Sequence, residues 1–295
     1  MKWGYSYVID SIDFRTKIMN AFILSGLTKL EKSVGRMTGK LLAIVCLTSP
    51  VMAFGSSATV LTPENTQKIE LAVWKYAIDT PLLLETIDWF HGLTLNSRES
   101  AAFGELSRLK FMQAQLELSK EHRVRLFEKS IVAADQALAL DGNDVRGLFW
   151  KAAAMGKIAE DSGILNALRM LRPMESLLLR VVELDETYEN AGAHRALGRM
   201  YHKLPGFPIS FGNNQTALMH LKRAHELFPR DVITRAFYAE LLLDMGKTSE
   251  ARKHADFVLN APIAEEDMRE FAEYVDIALQ VIKKTGGLTI RLGNF

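Results

Sequence analysis

A helix-ending pattern that recurs along the chain limits its fold more than any other feature of the sequence. Ala133 to Asp141 (AADQALALD), Leu177 to Asp185 (LLLRVVELD) and His220 to Pro229 (HLKRAHELFP) each close an amphipathic stretch on a leucine, followed within two residues by Asp or Pro. A fourth copy runs from Glu250 through Phe257 and Leu259 to Pro262. Upstream of each lies a second amphipathic stretch. In the third unit Ala193, Ala196, Leu197, Met200, Tyr201 and Leu204 fall at i, i+3, i+4, i+7, i+8 and i+11, one face of a helix. In the fourth, Ile233, Phe237 and Leu241 do the same, ending at Gly246, and Ala153, Ala196 and Ala236 offer small residues for close helix approach. Such helix pairs cannot bury their apolar faces singly and must stack.

The pattern predicts an all-α, tetratricopeptide-like solenoid over residues 98–262. It is preceded by N-terminal helices in residues 54–97, which start at Thr62-Pro63-Glu64 and are interrupted near Pro81. Residues 263–295 supply a capping helix and a tail whose alternation (LTIRLGNF from Leu288) is that of a strand or a frayed end. Composition agrees with a helical chain: 48% of residues are hydrophobic, and 8 prolines and 19 glycines in 295 residues are few for a chain of many β-turns. Trp74, Trp89 and Trp150 are expected in the core.

Unit spacing adds information. Leu140 to Leu184 is 44 residues and Leu184 to Leu227 is 43, whereas Leu227 to Leu259 is 32, close to the roughly 34-residue period of a plain repeat. Two units therefore carry about 10 extra residues each, between their first and second helices. The first extra segment, Ser162 to Pro173, reads as a short added helix with Pro173 opening the next one. The second, Leu204 to Asn214 (LPGFPISFGNN), is rich in turn formers and non-helical. Adjacent insertions at the same place would project from the same side of the solenoid.

The first 53 residues stand apart. Arg36 and Lys40 precede an apolar run from Leu41 to Phe54, broken by Pro50 and too short for the roughly 20 residues of a bilayer span. With Val51-Met52-Ala53 it reads as a secretory signal cleaved after Ala53, which predicts a periplasmic mature chain. Cys46, the only cysteine, lies in that run; Ala43 and Val45 occupy the lipobox positions, so lipid anchoring there is disfavoured. Loss of seven basic and three acidic residues turns the net charge from +1 to −3, with no field for nucleic acid.

From Asp185 to Pro229 the sequence resembles the T-component family of tripartite ATP-independent periplasmic (TRAP) transporters. The resemblance is carried by Gly192 with His194-Arg195, Leu197-Gly198 with Tyr201, Pro205-Gly206-Phe207-Pro208 with Ser210 and Gly212, and the helix from Ala217 to Pro229. More weakly it runs from Leu138 to Leu259. It implies a homo-oligomer, often a trimer, partnered by the solute-binding P subunit of the transporter, and no catalysis.

Candidate contact residues for that partner or a small organic ligand are His194, Arg195, Arg199, Tyr201, Pro205, Phe207 and Ser210. Arg195, Arg199 and His202, with Lys203, form a basic stripe that meets either an acidic partner or solvent. Phe207 is either an anchor for a partner or the plug that pins its own loop, and Ser210 and Asn213 are expected to cap the helix near Gln215. Motifs of metal, nucleophile or phosphate chemistry are not found: His220 and His225 at i, i+5 point apart, and Ser210 lacks the Gly-x-Ser-x-Gly frame. No cofactor is expected. A generic envelope scaffold for protein assembly is the alternative function.

Overall fold

Short polar side chains set where the helices begin. The Thr62 hydroxyl accepts from the Asn65 amide at 3.2 Å, Asp79 from Leu82 at 3.1 Å and Asp231 from Thr234 at 2.6 Å. Each satisfies an amide that the first helical turn leaves without a partner. The computed structural model describes residues 59–161, 164–262 and 268–286; the expected signal in residues 1–53 and the tail from Leu288 lie outside them.

Among the described residues there are eleven helices and no strand. They are α1 (Pro63–Trp74), α2 (Thr80–Thr94), α3 (Ser100–Leu116), α4 (Lys120–Leu140), α5 (Val145–Asp161), α6 (Ile164–Asp185), α7 (Tyr188–Lys203), α8 (Asn214–Leu227), α9 (Val232–Asp244), α10 (Thr248–Leu259) and α11 (Met268–Lys284). Helices α3/α4, α5/α6, α7/α8 and α9/α10 pack as consecutive pairs, and first helices stack from unit to unit, α3 on α5 and α9 on α11. This is the stacked helix-pair architecture that the repeating ends imply.

The ends themselves coincide with the sequence pattern: α4 stops at Leu140 with Asp141 as its cap, α8 at Leu227 and α10 at Leu259. Two expectations are corrected. Of the expected short helix from Ser162 to Pro173, the described part, Ile164 to Pro173, is not a separate element, because Pro173 lies inside the continuous α6. Proline removes one backbone hydrogen bond and crowds the preceding turn. Leu171, Leu178 and Val181, all buried against α5 and its neighbours, supply continuous packing that offsets this loss. Trp74 is 61% exposed and outside the core, Trp89 is half-buried beneath the ammonium of Lys68, and only Trp150 is buried.

Between α7 and α8 the close-packing residue is Gly198, where a Cβ would sit 2.5 Å from Cγ of Leu221. Ala153 and Ala196 are only half-buried; in their helices Ala152, Ala154 and Ala193 face the core. Likewise Ile233 and Phe237 are half-buried, and α9 turns Ala236, Ala239, Leu241 and Leu242 inward.

Candidate functional site

The segment between α7 and α8 is a folded loop with a fixed base. The Asn213 amide donates to the Tyr201 carbonyl and the Gly212 amide to Pro205, each at 2.9 Å, while Ile209 and Ser210 both donate to Gly206 at 3.2 Å. Only glycine fits position 212, since a Cβ there would lie 1.8 Å from the Leu204 carbonyl oxygen. The Phe207–Pro208 peptide is cis. Asn213 caps α8, its Oδ1 accepting from the amides of Gln215 and Thr216 at 2.9 and 3.0 Å.

Two phenylalanines of this loop have opposite fates. Phe211 turns inward, with the guanidinium of Arg172 3.8 Å from its ring centroid and its ring at 79° to that of Tyr201. Phe207 is 93% exposed and Ile209 73% exposed. Phe207 is therefore not the plug: Phe211 pins the loop, and Phe207 and Ile209 face solvent. Nothing in the spacing of the sequence separates these two aromatic residues. Arg172 belongs to the first extra segment, so the two insertions meet on one side of the molecule.

Behind the loop runs a chain of polar contacts through α6, α7 and α8. Arg172 pairs with Glu175 at 2.7 Å, and the Tyr201 hydroxyl donates to the same carboxylate. The Tyr201 ring stacks on His220 with the planes 4° apart, and Nδ1 of His220 lies 2.9 Å from Nδ1 of His194. His194 Nε2 then meets Glu186 at 3.4 Å, and Glu186 is held by Arg223. The carboxylate of Glu186 requires a proton on His194 Nε2. In the neutral ring Nδ1 is then bare and accepts the Nδ1 proton of His220.

Burial governs the titration of this chain of groups. His220 is pushed down to about 4 by desolvation and by the neighbouring His194. His194 is also lowered by burial, against the opposing pull of Glu186. Tyr201 is pushed up to about 12, first by burial and then by its bond to Glu175. Both imidazoles are thus neutral at physiological pH. No group of three or more His, Cys, Asp or Glu among the described residues is placed to hold a metal ion.

The basic stripe is engaged within the chain. Arg195 faces Asp231 at 3.4 Å and donates to the carbonyls of Asn190 and Glu189; Arg199 and Lys203 share Glu240; His202 meets Asp244 at 2.8 Å. Phe237 lies under the Arg199 guanidinium at 4.3 Å. These contacts join α7 to the start and outer face of α9, a ladder between units. Its acidic half, Glu240 and Asp244 at i, i+4, repeats the interval of Arg195, Arg199 and Lys203.

A second charged cluster gave no sequence signal. Arg108 lies between Glu70 (2.6 Å), Glu105 (3.4 Å) and Glu189 (3.5 Å), and Arg146 pairs with Glu105 at 2.7 Å. Glu189, Asn190 and Ala191 all have positive φ (50°, 55° and 59°), which places Glu189 beside Arg108 at the cost of three left-handed non-glycine residues.

Of the predicted site residues, then, Pro205, Phe207 and Ser210 lie on the loop, and Tyr201 and His194 in the polar chain behind it. Arg195 and Arg199 lie in the α7–α9 ladder. No helix among the described residues is long and apolar enough to cross a membrane. No curated protein matches the sequence. Among solved structures, a thermophilic TPR protein of Thermus thermophilus superposes with a TM-score of 0.53 at 19% identity, covering 73% of this chain and 99% of that one. YrrB, described as a TPR protein with an unusual peptide-binding site, gives 0.41 at 17% identity over 66% of this chain and 90% of that one. The first of these likenesses shows the tetratricopeptide fold. The family model of the TRAP transporter T-component matches residues 106–271, more than half of the sequence, and the chain belongs to that family.

Proposed function

We propose that the chain is a non-catalytic accessory component of a TRAP transport system, exported to the periplasm, where it binds the solute-binding P subunit of the transporter. The loop of residues 204–213 is its contact surface. The observation that carries this reading is the exposure of Phe207 and Ile209 on a loop whose base is fixed. Large apolar side chains held out in water by a pre-ordered loop bind a partner with little further loss of conformational freedom.

In this reading Pro205, Phe207 and Ser210 touch the partner or its bound organic ligand. Tyr201 and His194 hold the surface in place through Phe211 and the histidine pair. Arg195 and Arg199 maintain the register of the next unit. Family membership supports the transport role, and assembly as a homo-oligomer, a trimer by resemblance, belongs to the same proposal.

The test is a titration of the purified chain with the solute-binding P subunit of a TRAP transporter from the same organism, followed by calorimetry. Replacing Phe207 and Ile209 together by serine is expected to weaken binding at least about ten-fold, or about 1.4 kcal/mol, with the melting temperature unchanged. Unchanged affinity in that variant overturns the loop as the contact surface. Recovery of cell-wall or assembly machinery from an envelope extract, with no solute-binding subunit, overturns the transport reading in favour of a generic scaffold.

A further inference from the structure

At the far end of α8 from the loop, the turn into α9 and the ends of α10 and α11 enclose two recesses of about 520 and 450 Å³. They share Arg230, Val232 and Phe271 and so form one groove. Phe228, Pro229 and Val232, together with Phe257 and Phe271, give it an apolar lining. Asp231, the acid among the described lining residues, is already committed. Its Oδ1 accepts from the Thr234 amide at 2.6 Å as the cap of α9 and faces Arg195 at 3.4 Å.

The guanidinium of Arg235, at the edge of the groove, is held differently. Arg230 lines both recesses, and Arg235 sits against Phe257 with its guanidinium 3.8 Å from the ring centroid. Arg235 donates through Nε to the Pro229 carbonyl at 2.7 Å, and among the described residues no carboxylate lies within ion-pair distance of it. Burial alone acts on its titration and lowers it, where the arginines of the other clusters, Arg108, Arg123 and Arg146, are raised by carboxylates. A half-buried guanidinium stacked on an aromatic ring, with no carboxylate partner among the described residues, is a ready donor site for a carboxylate from outside the chain.

We propose that this groove docks an extended segment of a partner protein in which an aromatic or aliphatic side chain is followed by a carboxylate. The apolar side chain would pack against Phe257 and Phe271, and the carboxylate would take the outer guanidinium edge of Arg235. The surface lies about 20 Å from the loop, the length of the 14-residue α8. It is therefore distinct from the loop contact and does not depend on it.

The experiment is fluorescence polarisation of the full chain with two labelled peptides of equal length. One carries phenylalanine followed by two glutamates; the other has glutamines in their place. The acidic peptide is expected to bind about ten-fold more tightly at low ionic strength, with the advantage shrinking as salt is added. Arg235→Gln should abolish that preference, Arg235→Lys should keep part of it, and Phe207→Ser should leave it intact. Equal affinity of the two peptides, no binding of either at about millimolar concentration, or a preference retained in Arg235→Gln would each overturn the proposal. Should Arg235→Gln melt lower through loss of the Pro229 bond, the two-peptide comparison on the unsubstituted chain still decides.

Discussion

The two halves of the solenoid are built from the same helix-pair unit but filled differently. In α3 to α5 the core is closed by rings: Phe111 meets Phe127 at 5.2 Å and Trp150 at 5.1 Å, and Phe149 meets Trp150 at 5.0 Å, edge to face. From α8 to α11 no Phe or Trp is buried among the described residues. Ala217, Ala236, Ala239, Ala251, Ala255 and Ala278 bring the helices together around Leu221, Leu241 and Leu242. The difference accompanies the change in period, since the unit of 32 residues lies in the half whose core holds no buried Phe or Trp among the described residues. It also gives the halves opposite weak points, because a ring-filled core suffers from removal of volume and a core closed by small residues from its addition.

The largest expected effect tests the first half. Phe127 is fully buried and contacts Phe111. Phe127→Ala should cost about 3–5 kcal/mol, the sum of lost transfer energy and an unfilled cavity. Urea unfolding followed by circular dichroism reads this directly. A loss under about 1 kcal/mol would mean that the rings of this half repack freely, and the contrast between the halves would fail.

Acid should act on the other half. His194 and His220 lie at the α7–α8 seam, and His225 and His254 pack within the second half, all four lowered chiefly by burial. In the ring-filled half His91 and His122 are exposed. His220 and His254 titrate near 4 in the fold against an ordinary 6.5. Between those values the unfolded chain binds protons that the folded chain does not, so stability is complete above about pH 6.5 and falls as the pH drops towards 4. For His220 the loss approaches about 3 kcal/mol at the bottom of the window, and it is smaller for the half-buried His254. Amide exchange at pH 5 should rise first in α8 to α10, and His220→Gln should flatten the pH dependence. Equal loss of protection in α3 to α5 would show that the histidines do not set it.

The same contrast separates what the sequence discloses from what it conceals. Helix ends are local matters, decided by a leucine face and a capping or stopping residue, so Thr62, Leu140, Leu227 and Asn213 could be placed from their neighbours alone. The bounds of the second insertion followed from the period, whereas the extra residues of the first lengthen α6. Partners across units are different. Arg199 finds Glu240 and Arg195 finds Asp231, more than 30 residues away in each case, and a basic stripe looks the same in sequence whether solvent or a later helix covers it. Pro173 reads as a helix start until α5 is known to pack along both sides of it, and Trp74 reads as core until α1 is seen to turn it outward. Phe207 and Phe211 differ only in how the base of the loop, closed at Gly212, aims them.

The smallest expected effect tests the second half from the opposite direction. Ala239 has no exposed surface and lies in α9, among helices that close on one another through alanines. Ala239→Leu adds three carbons where the neighbours have no slack, and should cost about 1–3 kcal/mol. In a domain of this size that lowers the melting temperature by roughly 2–4 °C per kcal/mol. Helix propensity cannot account for such a loss, because Leu and Ala are both strong helix formers. Overpacking is then the remaining cause, and its sign is the reverse of that at Phe127. A neutral Ala239→Leu would mean that the plain-length unit is held by its period rather than by its small residues, and that the two halves differ in composition but not in how they resist change.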